Sequence, residues 1–411
     1  MRIRLGWSSV LPTTVALVAG SVVGSVAGVI PAPSAHAAGV RTVAATTGFS
    51  QGHSILWGSD AQLAADLDGI AATGARWLRL DFDWPSIQAG GPDAWNWGPT
   101  DRVVDAAQAR GLQILAMPAY TPTWARPPGV GDKTPPSDPD DFARFVAAAA
   151  RRYAPRGIGH WEIWNEPNIE QFWAPAPDPE AYARLLVGAS AAIHGVDPDA
   201  VVMNGGLAPA PDTPGAAMRP RSFLTAIYAA GAKGSLDAVA VHPYTMPFEP
   251  TMPGDWNPIS SLAATHAVMT AFGDARKPIW GTETGFGTGS DSKGVSETVQ
   301  AARIRQLVDA WYDHEFAGNL FVYTYRDLSA SSGQTWQRMG LVRHGGTDKP
   351  ALAAFESAIR RPADGSRDNR RGLCGPAAHL APAGSDDCVD TQRVARLVYA
   401  RLRWPGAATA G

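Results

Sequence analysis

The chain has 411 residues, enough for two or three average domains or for one (β/α) barrel of about 250 residues or more. Hydrophobic residues make up 45% and charged residues 18%, which allows a large core and argues against general disorder. The 35 basic and 38 acidic residues give a net charge of −3 without a basic block, so the composition argues against a nucleic-acid partner.

Residues 1–38 have the features of an export signal peptide. Arg2 and Arg4 form a short positive start, residues 10–30 are mostly apolar and small, and residues 35–37 read Ala-His-Ala, an A-x-A cleavage pattern. The apolar run is also long enough for an uncleaved membrane anchor, which stays open as an alternative. We expect the leader to be removed, so that the mature protein is secreted, extracellular and without a membrane partner.

Eight predicted strands alternate with predicted helices along the chain. The strands are predicted at 42–53, 77–84, 112–120, 160–168, 201–208, 236–244, 278–286 and 320–328, and the helices at 60–72, 101–110, 138–152, 179–193, 222–231, 260–272, 296–316 and 351–359. Eight such units predict parallel strands joined by crossover helices. The favoured fold is an α/β protein, a (β/α)8 TIM barrel over residues 39–360. A doubly wound sheet is the main rival, but it would not need the eighth unit.

Residues 361–411 form a polar, turn-rich C-terminal extension to which we assign no function. Cys374 and Cys388 are the two cysteines of the chain, and in an oxidising compartment they predict one disulfide within this segment. Their spacing does not fit a zinc site. Since the sequence contains no other cluster with metal-ligand spacing, we expect neither a metal nor a cofactor.

Polar and aromatic residues concentrate at the carboxyl ends of the predicted strands, where a (β/α)8 barrel carries its chemistry. They are Asp81, Asp83, Tyr120, Asn165, Glu166, His242, Tyr244, Glu283, Tyr323, Tyr325 and Asp327. The opposite ends of the strands, such as residues 113–115, 201–202 and 238–239, are mostly apolar and carry no carboxylate or aromatic residue. This asymmetry indicates an active site at one mouth of the barrel.

Two of these residues are strand-end glutamates. Glu166 lies in HWEIWNEPN (160–168), where Pro167 favours an extended conformation for it and strand alternation predicts that Glu162, Trp164 and Glu166 all face inward. Glu283 lies in PIWGTETGF (278–286), where small neighbours let a sugar ring approach. A pair of carboxylates cleaves glycosidic bonds, one as acid and one as nucleophile or base. We therefore predict that Glu166 and Glu283 are catalytic.

Other residues near these strand ends have polar or aromatic side chains suited to support the glutamates or hold a sugar. Glu162 lies deeper than Glu166 and is expected to pair with a buried cation such as Arg79. His242 and Tyr244 share one face of a strand, where the hydroxyl can orient a nucleophile and the imidazole can bond a sugar hydroxyl. Tryptophans on loops after strands are candidate platforms for pyranose rings, namely Trp84, Trp95, Trp97, Trp124, Trp173, Trp256 and Trp336.

Four motifs together resemble the clan A glycoside hydrolases, with families 39 and 5 the nearest likeness. They are WNEPN (164–168), HPY (242–244), ETGFG (283–287) and GLVRHGGTDKPA (340–351), and the similarity covers roughly residues 48–360. The resemblance implies a retaining (β/α)8 enzyme that acts on equatorially linked sugars.

The resemblance also implies individual roles. It implies that Glu166 is the acid/base, that Glu283 is the nucleophile, and that Asn165 bonds the 2-hydroxyl of the sugar at the cleavage point. It further implies that Arg79 and Tyr244 support Glu283. Strand eight often ends in a tryptophan beneath that sugar, whereas here it reads YTYRDL, so Tyr325 is the expected substitute.

The sequence thus predicts a secreted retaining β-glycosidase that hydrolyses O-glycosidic bonds of a poly- or oligosaccharide by double displacement. A non-catalytic carbohydrate-binding protein on the same fold and a transglycosidase stay open as alternatives. The sequence specifies neither the sugar and linkage nor endo or exo action. The predicted substrate-binding residues are Arg79, Tyr120, Trp124, Asn165, Trp173, His242, Tyr244, Tyr325 and Trp336.

Overall fold

The computed structural model describes residues 43–360. The predicted leader (1–38) and the C-terminal extension with its predicted Cys374–Cys388 disulfide lie outside the described residues and stay predictions. Among the helices that the structure describes, none combines the length and the apolar character needed to cross a bilayer.

Eight parallel strands form the centre of the described chain. They are β1 (Thr47–Ser50), β2 (Trp77–Asp83), β3 (Gln113–Ala119), β4 (His160–Ile163), β5 (Val201–Asn204), β6 (Val239–Val241), β7 (Ile279–Thr284) and β8 (Ala317–Tyr323). The strand order is β5-β4-β3-β2-β1-β8-β7-β6, and parallel bridges from Met203 to Ala238 and from Leu207 to Val241 bring β5 beside β6. The circle of strands confirms the (β/α)8 TIM barrel, since a doubly wound sheet keeps two open edges.

Helices connect the strands on the outside of the barrel. They are α1 (Asp60–Thr73), α2 (Trp84–Ile87), α3 (Gly98–Gln108), α4 (Pro139–Tyr153), α5 (Pro179–His194), α6 (Pro220–Ala229), α7 (Leu262–Ala271), α8 (Glu297–Tyr312) and α9 (Pro350–Ile359). Four of them, α4, α5, α6 and α9, begin at a proline, whose fixed φ suits the first helical position and which has no N–H there to satisfy.

Aromatic side chains fill the barrel interior at the amino-terminal ends of the strands. Trp77 packs edge-on against His160, Trp280 and Phe321, with ring centroids 4.8, 5.5 and 6.3 Å away. Because side chains alternate along a strand, the next inward residue of β2 is Arg79 and the one after it is Asp81. The interior of the barrel therefore changes from apolar to charged towards the carboxyl ends of the strands.

Candidate active site

The structure brings the two predicted glutamates together at the mouth of the barrel. One carboxylate oxygen of Glu166, one of Glu283 and a ring nitrogen of His242 all lie within 4.8 Å of one another. The glutamate side chains keep 12% and 16% of their surface exposed, so both remain within reach of a ligand.

Glu166 reaches this position through a change of backbone direction after β4. The predicted strand 160–168 ends at Ile163, and both Trp164 (φ 74°) and Glu166 (φ 44°) have left-handed backbone conformations. The predictions that Glu166 is extended and that Trp164 faces inward were therefore wrong. The Trp164 ring packs on Phe142 of α4, outside the strands, while the backbone N–H of Glu166 donates to Gly206.

Glu283 faces the site because β7 is irregular. Thr282 faces the interior, where its hydroxyl donates to Glu162 over 3.2 Å, so regular alternation would turn the next residue outward. The pairing of β7 with β8 shifts register between Gly281 and Thr284. Such bulges re-aim side chains beside active sites, and here the irregularity accompanies the inward direction of Glu283.

Arg79 joins Glu283 to Glu162 in the interior of the barrel. Its Nε and Nη2 donate to the two oxygens of Glu162 at 2.7 and 2.9 Å, which confirms the predicted pairing of Glu162 with this cation. Its Nη1 donates to Glu283 at 2.9 Å. Burial acts against the charge of Arg79, but Glu162 and Glu283 more than offset it and raise its pKa. Since the side chain is buried and bonded to protein groups, Arg79 is a positioning residue and not the predicted sugar ligand.

Glu283 is held in the ionised form by its neighbours. Burial acts to raise its pKa, but His242, Arg79 and hydrogen bonds from two hydroxyls hold the pKa below its usual value. These hydroxyls belong to Tyr244, at 3.0 Å, and Ser50, at 3.2 Å. The Tyr244 contact is the one that the resemblance implied, whereas sequence reasoning missed Ser50. The only feature of the sequence that could have pointed to Ser50 is its position at the carboxyl end of β1.

His242 contacts the glutamates and is closed off from solvent. Its Nδ1 lies 2.8 Å from Oε1 of Glu166 and 3.7 Å from Oε2 of Glu283, and the residue is 0% exposed. The burial leaves no exposed surface of His242 for the predicted direct bond to a sugar, and the ring contacts Glu166 instead. Gly206 makes room for the ring, because a Cβ at position 206 would lie 2.1 Å from Nε2 of His242.

Asn165 and Tyr120 lie beside the glutamates. Oδ1 of Asn165 accepts a hydrogen bond from Nη2 of Arg79 at 2.8 Å, which fixes the amide so that its Nδ2 is the remaining donor for a sugar hydroxyl. Tyr120 is nearly buried, with Nζ of Lys133 2.9 Å from its ring centroid. Burial, together with the nearby carboxylate of Asp81, raises the pKa of Tyr120. The predicted sugar contacts of Asn165 and Tyr120 stay predictions.

The tyrosine at the end of β8 that lies near Glu283 is Tyr323 and not Tyr325, which was predicted for this place. Tyr325 packs edge-on against Phe49, and its hydroxyl occupies the space where a Cβ of Gly69 in α1 would lie, so the predicted role beneath the sugar was wrong. Tyr323 pairs in register with Ser50 and lies near Glu283, which together with burial raises the pKa of Tyr323. Tyr323 is therefore a candidate for the aromatic ring beneath a sugar.

The predicted tryptophan platforms divide into buried and exposed residues. Trp173 is 1% exposed and packs edge-on against Trp164 and Tyr182, so its predicted sugar contact was wrong, and Trp84 is buried as well. Trp124 is half-buried, with Nε1 donating to Gln88. Trp336, on the loop after β8, is 52% exposed and stays a candidate platform. Among residues 43–360, the other exposed tryptophans are Trp57, Trp95 and Trp256.

Glu166, His242 and Glu283 are also the residues whose donor atoms come close enough, within the described chain, to suggest a metal site. Arg79, Ser50 and Tyr244 already donate hydrogen bonds to Glu283, and His242 is bonded to Glu166. Four hydrogen-bond partners around two carboxylates suit an acid/base pair better than a cation. The predicted absence of a cofactor stays a prediction.

A (β/α)8 barrel with two converging glutamates at its mouth, one in the sequence Trp-Asn-Glu-Pro, is the arrangement of the clan A glycoside hydrolases. The chain belongs to the cellulase family, glycosyl hydrolase family 5, which matches residues 36–318. The resemblance to clan A is thereby confirmed. No curated protein sequence matches the chain.

Solved structures of glycoside hydrolases share this fold. A family 39 glycoside hydrolase from the gut symbiont Bacteroides cellulosilyticus WH2 is 20% identical, with a TM-score of 0.63, over 78% of this chain and 64% of that one. A monomeric β-xylosidase from Caulobacter crescentus CB15 is 18% identical, with a TM-score of 0.60, over 79% and 70%. A GH5_18 variant from Streptomyces cattleya, in complex with Manβ1-4GlcNAc, is 19% identical, with a TM-score of 0.57, over 77% and 80%. The chain thus spans less than two thirds of the first of these proteins.

Proposed function

We propose that the protein is a retaining β-glycosidase that hydrolyses O-glycosidic bonds by double displacement. The observation that carries this proposal is the distance of at most 4.8 Å between carboxylate oxygens of Glu166 and Glu283. Retaining enzymes keep their two carboxyl groups about 5–5.5 Å apart, whereas inverting enzymes need about 6.5–9.5 Å to admit a water.

The surroundings of the two glutamates support a division of roles. Glu283 receives hydrogen bonds from Arg79, Tyr244 and Ser50, which favour the ionised form that a nucleophile needs. Glu166 accepts none of these hydrogen bonds, and its side chain contacts Nδ1 of His242 at 2.8 Å, so it is the better candidate for the acid and base. Glu283 then attacks the anomeric carbon while Glu166 protonates the leaving oxygen, and Glu166 afterwards activates the water that releases the sugar.

The substrate we propose is a neutral β-linked oligo- or polysaccharide. The similar structures are named for a β-xylosidase and for a complex with Manβ1-4GlcNAc, so β-xylosides and β-mannosides are the first compounds to test. We also propose that the protein is secreted after removal of residues 1–38, which the mass of the chain from a secreting host would test.

The mechanism is tested with 4-nitrophenyl β-xyloside, β-mannoside and β-glucoside, following the first product anomer by NMR. We expect a β-anomer that mutarotates later, and a loss of about 10⁴-fold or more in kcat for Glu283→Gln. A first product of α configuration would exclude retention. Parent protein that binds these sugars without cleaving them would be a carbohydrate-binding protein, and glycosyl transfer exceeding hydrolysis would identify a transglycosidase.

A further inference from the structure

Asp81 is a buried carboxylate of the barrel mouth that the proposed mechanism does not use. It lies two residues after Arg79 on β2, so the two side chains point to the same side of the strand. Arg79 faces the interior, where it contacts Glu162 and Glu283. Asp81 therefore faces the barrel axis one step closer to the mouth, at the level where a sugar must lie to reach Glu283.

No described residue donates a hydrogen bond to this carboxylate. Asp81 is 7% exposed, and its Oδ1 is buried without a partner among the described residues. Asp83, on the same strand and equally buried, accepts hydrogen bonds from the backbone N–H and the hydroxyl of Ser86 at the start of α2. A buried acceptor without a partner destabilises the fold, and such groups in native proteins call for a functional explanation.

The charged and titratable groups around Asp81 come from every neighbouring element. They are Arg79 and Asp83 on β2, His53 after β1, Tyr120 at the end of β3, Lys133 on the following loop, Glu283 on β7 and Tyr323 on β8. Burial raises the pKa of Asp81 to about 6, with Glu283 and Asp83 acting in the same direction and Arg79 and His53 against it. The fold therefore holds an ionised Asp81 at neutral pH at a cost in stability.

We propose that Asp81 is a specificity-determining residue whose carboxylate accepts hydrogen bonds from hydroxyl groups of the sugar bound beside Glu283. This inference rests on the proposed glycosidase function. A sugar hydroxyl would donate the hydrogen bond that no described residue donates to Asp81. A hydrogen bond to an ionised carboxylate is stronger than one between neutral groups. The contact would favour a ring with a hydroxyl at the position facing Asp81 over an analogue without it.

Because Asp81 is buried without a donor and is proposed to bind the sugar, its removal should stabilise the fold but lower the activity. Its pKa in the folded protein lies above the value of about 3.9 in an unfolded chain, so the folded state binds this proton more tightly. Stability is therefore lost as the pH rises through about 6, and it is regained when the charge is removed. A residue kept for structure would show the reverse, since its removal would destabilise the fold.

The experiment compares the parent with Asp81→Asn on the 4-nitrophenyl β-glycosides and their deoxy analogues. We expect Asp81→Asn to raise the melting temperature by about 3 °C or more at pH 8. At pH 4.5, which lies between the unfolded and folded pKa values of Asp81, the rise should be about a third as large. We expect kcat/KM for the best substrate to fall by about 10–100-fold at pH 7.5. For the analogue that lacks the contacted hydroxyl, the variant and the parent should differ by less than about threefold.

Asp274→Asn is the matched control, because Asp274 is an equally buried aspartate whose carboxylate is bonded to Tyr228 and Lys277 away from the mouth. It should lower the melting temperature and leave kcat/KM unchanged. A lower melting temperature, or kcat/KM within twofold of the parent, for Asp81→Asn would overturn the inference while the glycosidase function stands. Parent protein inactive on every glycoside would overturn both.

Discussion

Arg79 and Glu162 form a two-point ion pair in the interior of the barrel, with N–O distances of 2.7 and 2.9 Å and both side chains almost completely buried. Glu162 also accepts the backbone N–H of Gly206 and the hydroxyl of Thr282. The pair therefore fixes three strands relative to one another and sets the height of the guanidinium below Glu283.

Replacing Arg79 tests this pair. Arg79→Met leaves Glu162 as an uncompensated buried charge, so we expect the free energy of unfolding to fall by about 3–5 kcal/mol, measured by denaturant titration. Arg102→Lys is the control, because the ion pair of Arg102 with Asp60 lies at the surface, and it should change stability little. Arg79→Met with stability close to that of the parent would show that the pair does not organise the interior.

Tyr244 supplies one of the hydrogen bonds that keep Glu283 ionised. Its removal in Tyr244→Phe should raise the pKa of Glu283, and the proposed attack requires the ionised carboxylate. We therefore expect the acid limb of the kcat/KM profile to move to higher pH by about one pH unit, the equivalent of one hydrogen bond to a charged group. Tyr228→Phe, which removes a hydroxyl bonded to the remote Asp274, should leave this limb in place. A limb that stays or moves to lower pH contradicts the role of Tyr244.

The proposed role of Glu166 as the acid can be tested by varying the leaving group. Glu166→Gln removes the proton donor, so we expect kcat/KM to fall by about 10²–10⁴-fold for an oligosaccharide, whose leaving alkoxide needs protonation. For 2,4-dinitrophenyl glycosides, which leave without a proton, the loss in kcat/KM should be small. Equal losses for both substrates, measured side by side, would exclude Glu166 as the acid.

Tyr323 and Tyr325 should respond differently to substitution. Tyr323→Ala removes the ring near Glu283, so we expect KM to rise by about tenfold, the worth of one aromatic contact. Tyr325→Ala leaves a cavity between β1 and α1 and should lower the free energy of unfolding by about 3–5 kcal/mol, with the KM of the folded protein unchanged. The assignment fails if Tyr325→Ala raises KM while Tyr323→Ala does not.

The sequence was sufficient to predict the barrel, because eight apolar strands at regular spacing leave few other topologies. It also predicted Glu166 and Glu283 at the mouth, since the carboxyl ends of parallel strands meet on one face. The pairing of Arg79 with Glu162 followed from burial alone, because a buried carboxylate requires a cation or donors.

The details that failed lie where the backbone leaves regular alternation. Positive φ values at Trp164 and Glu166 redirect side chains that a period of two would aim elsewhere. Tyr325 failed for a similar reason, since β8 ends two residues before it. Trp173 failed because a tryptophan that fills the layer between strands and helices has the same sequence signal as one that binds a sugar.

Gly206 and His242 are 36 residues apart in the sequence (242 − 206), but they are in contact in the structure. A methyl group at position 206 would overlap the His242 ring, so a chain of this kind that gains alanine at 206 must first give up its imidazole or move it away from Glu166. The two positions are therefore expected to drift together over evolutionary time, and a change at either one alone is a step through a less active intermediate.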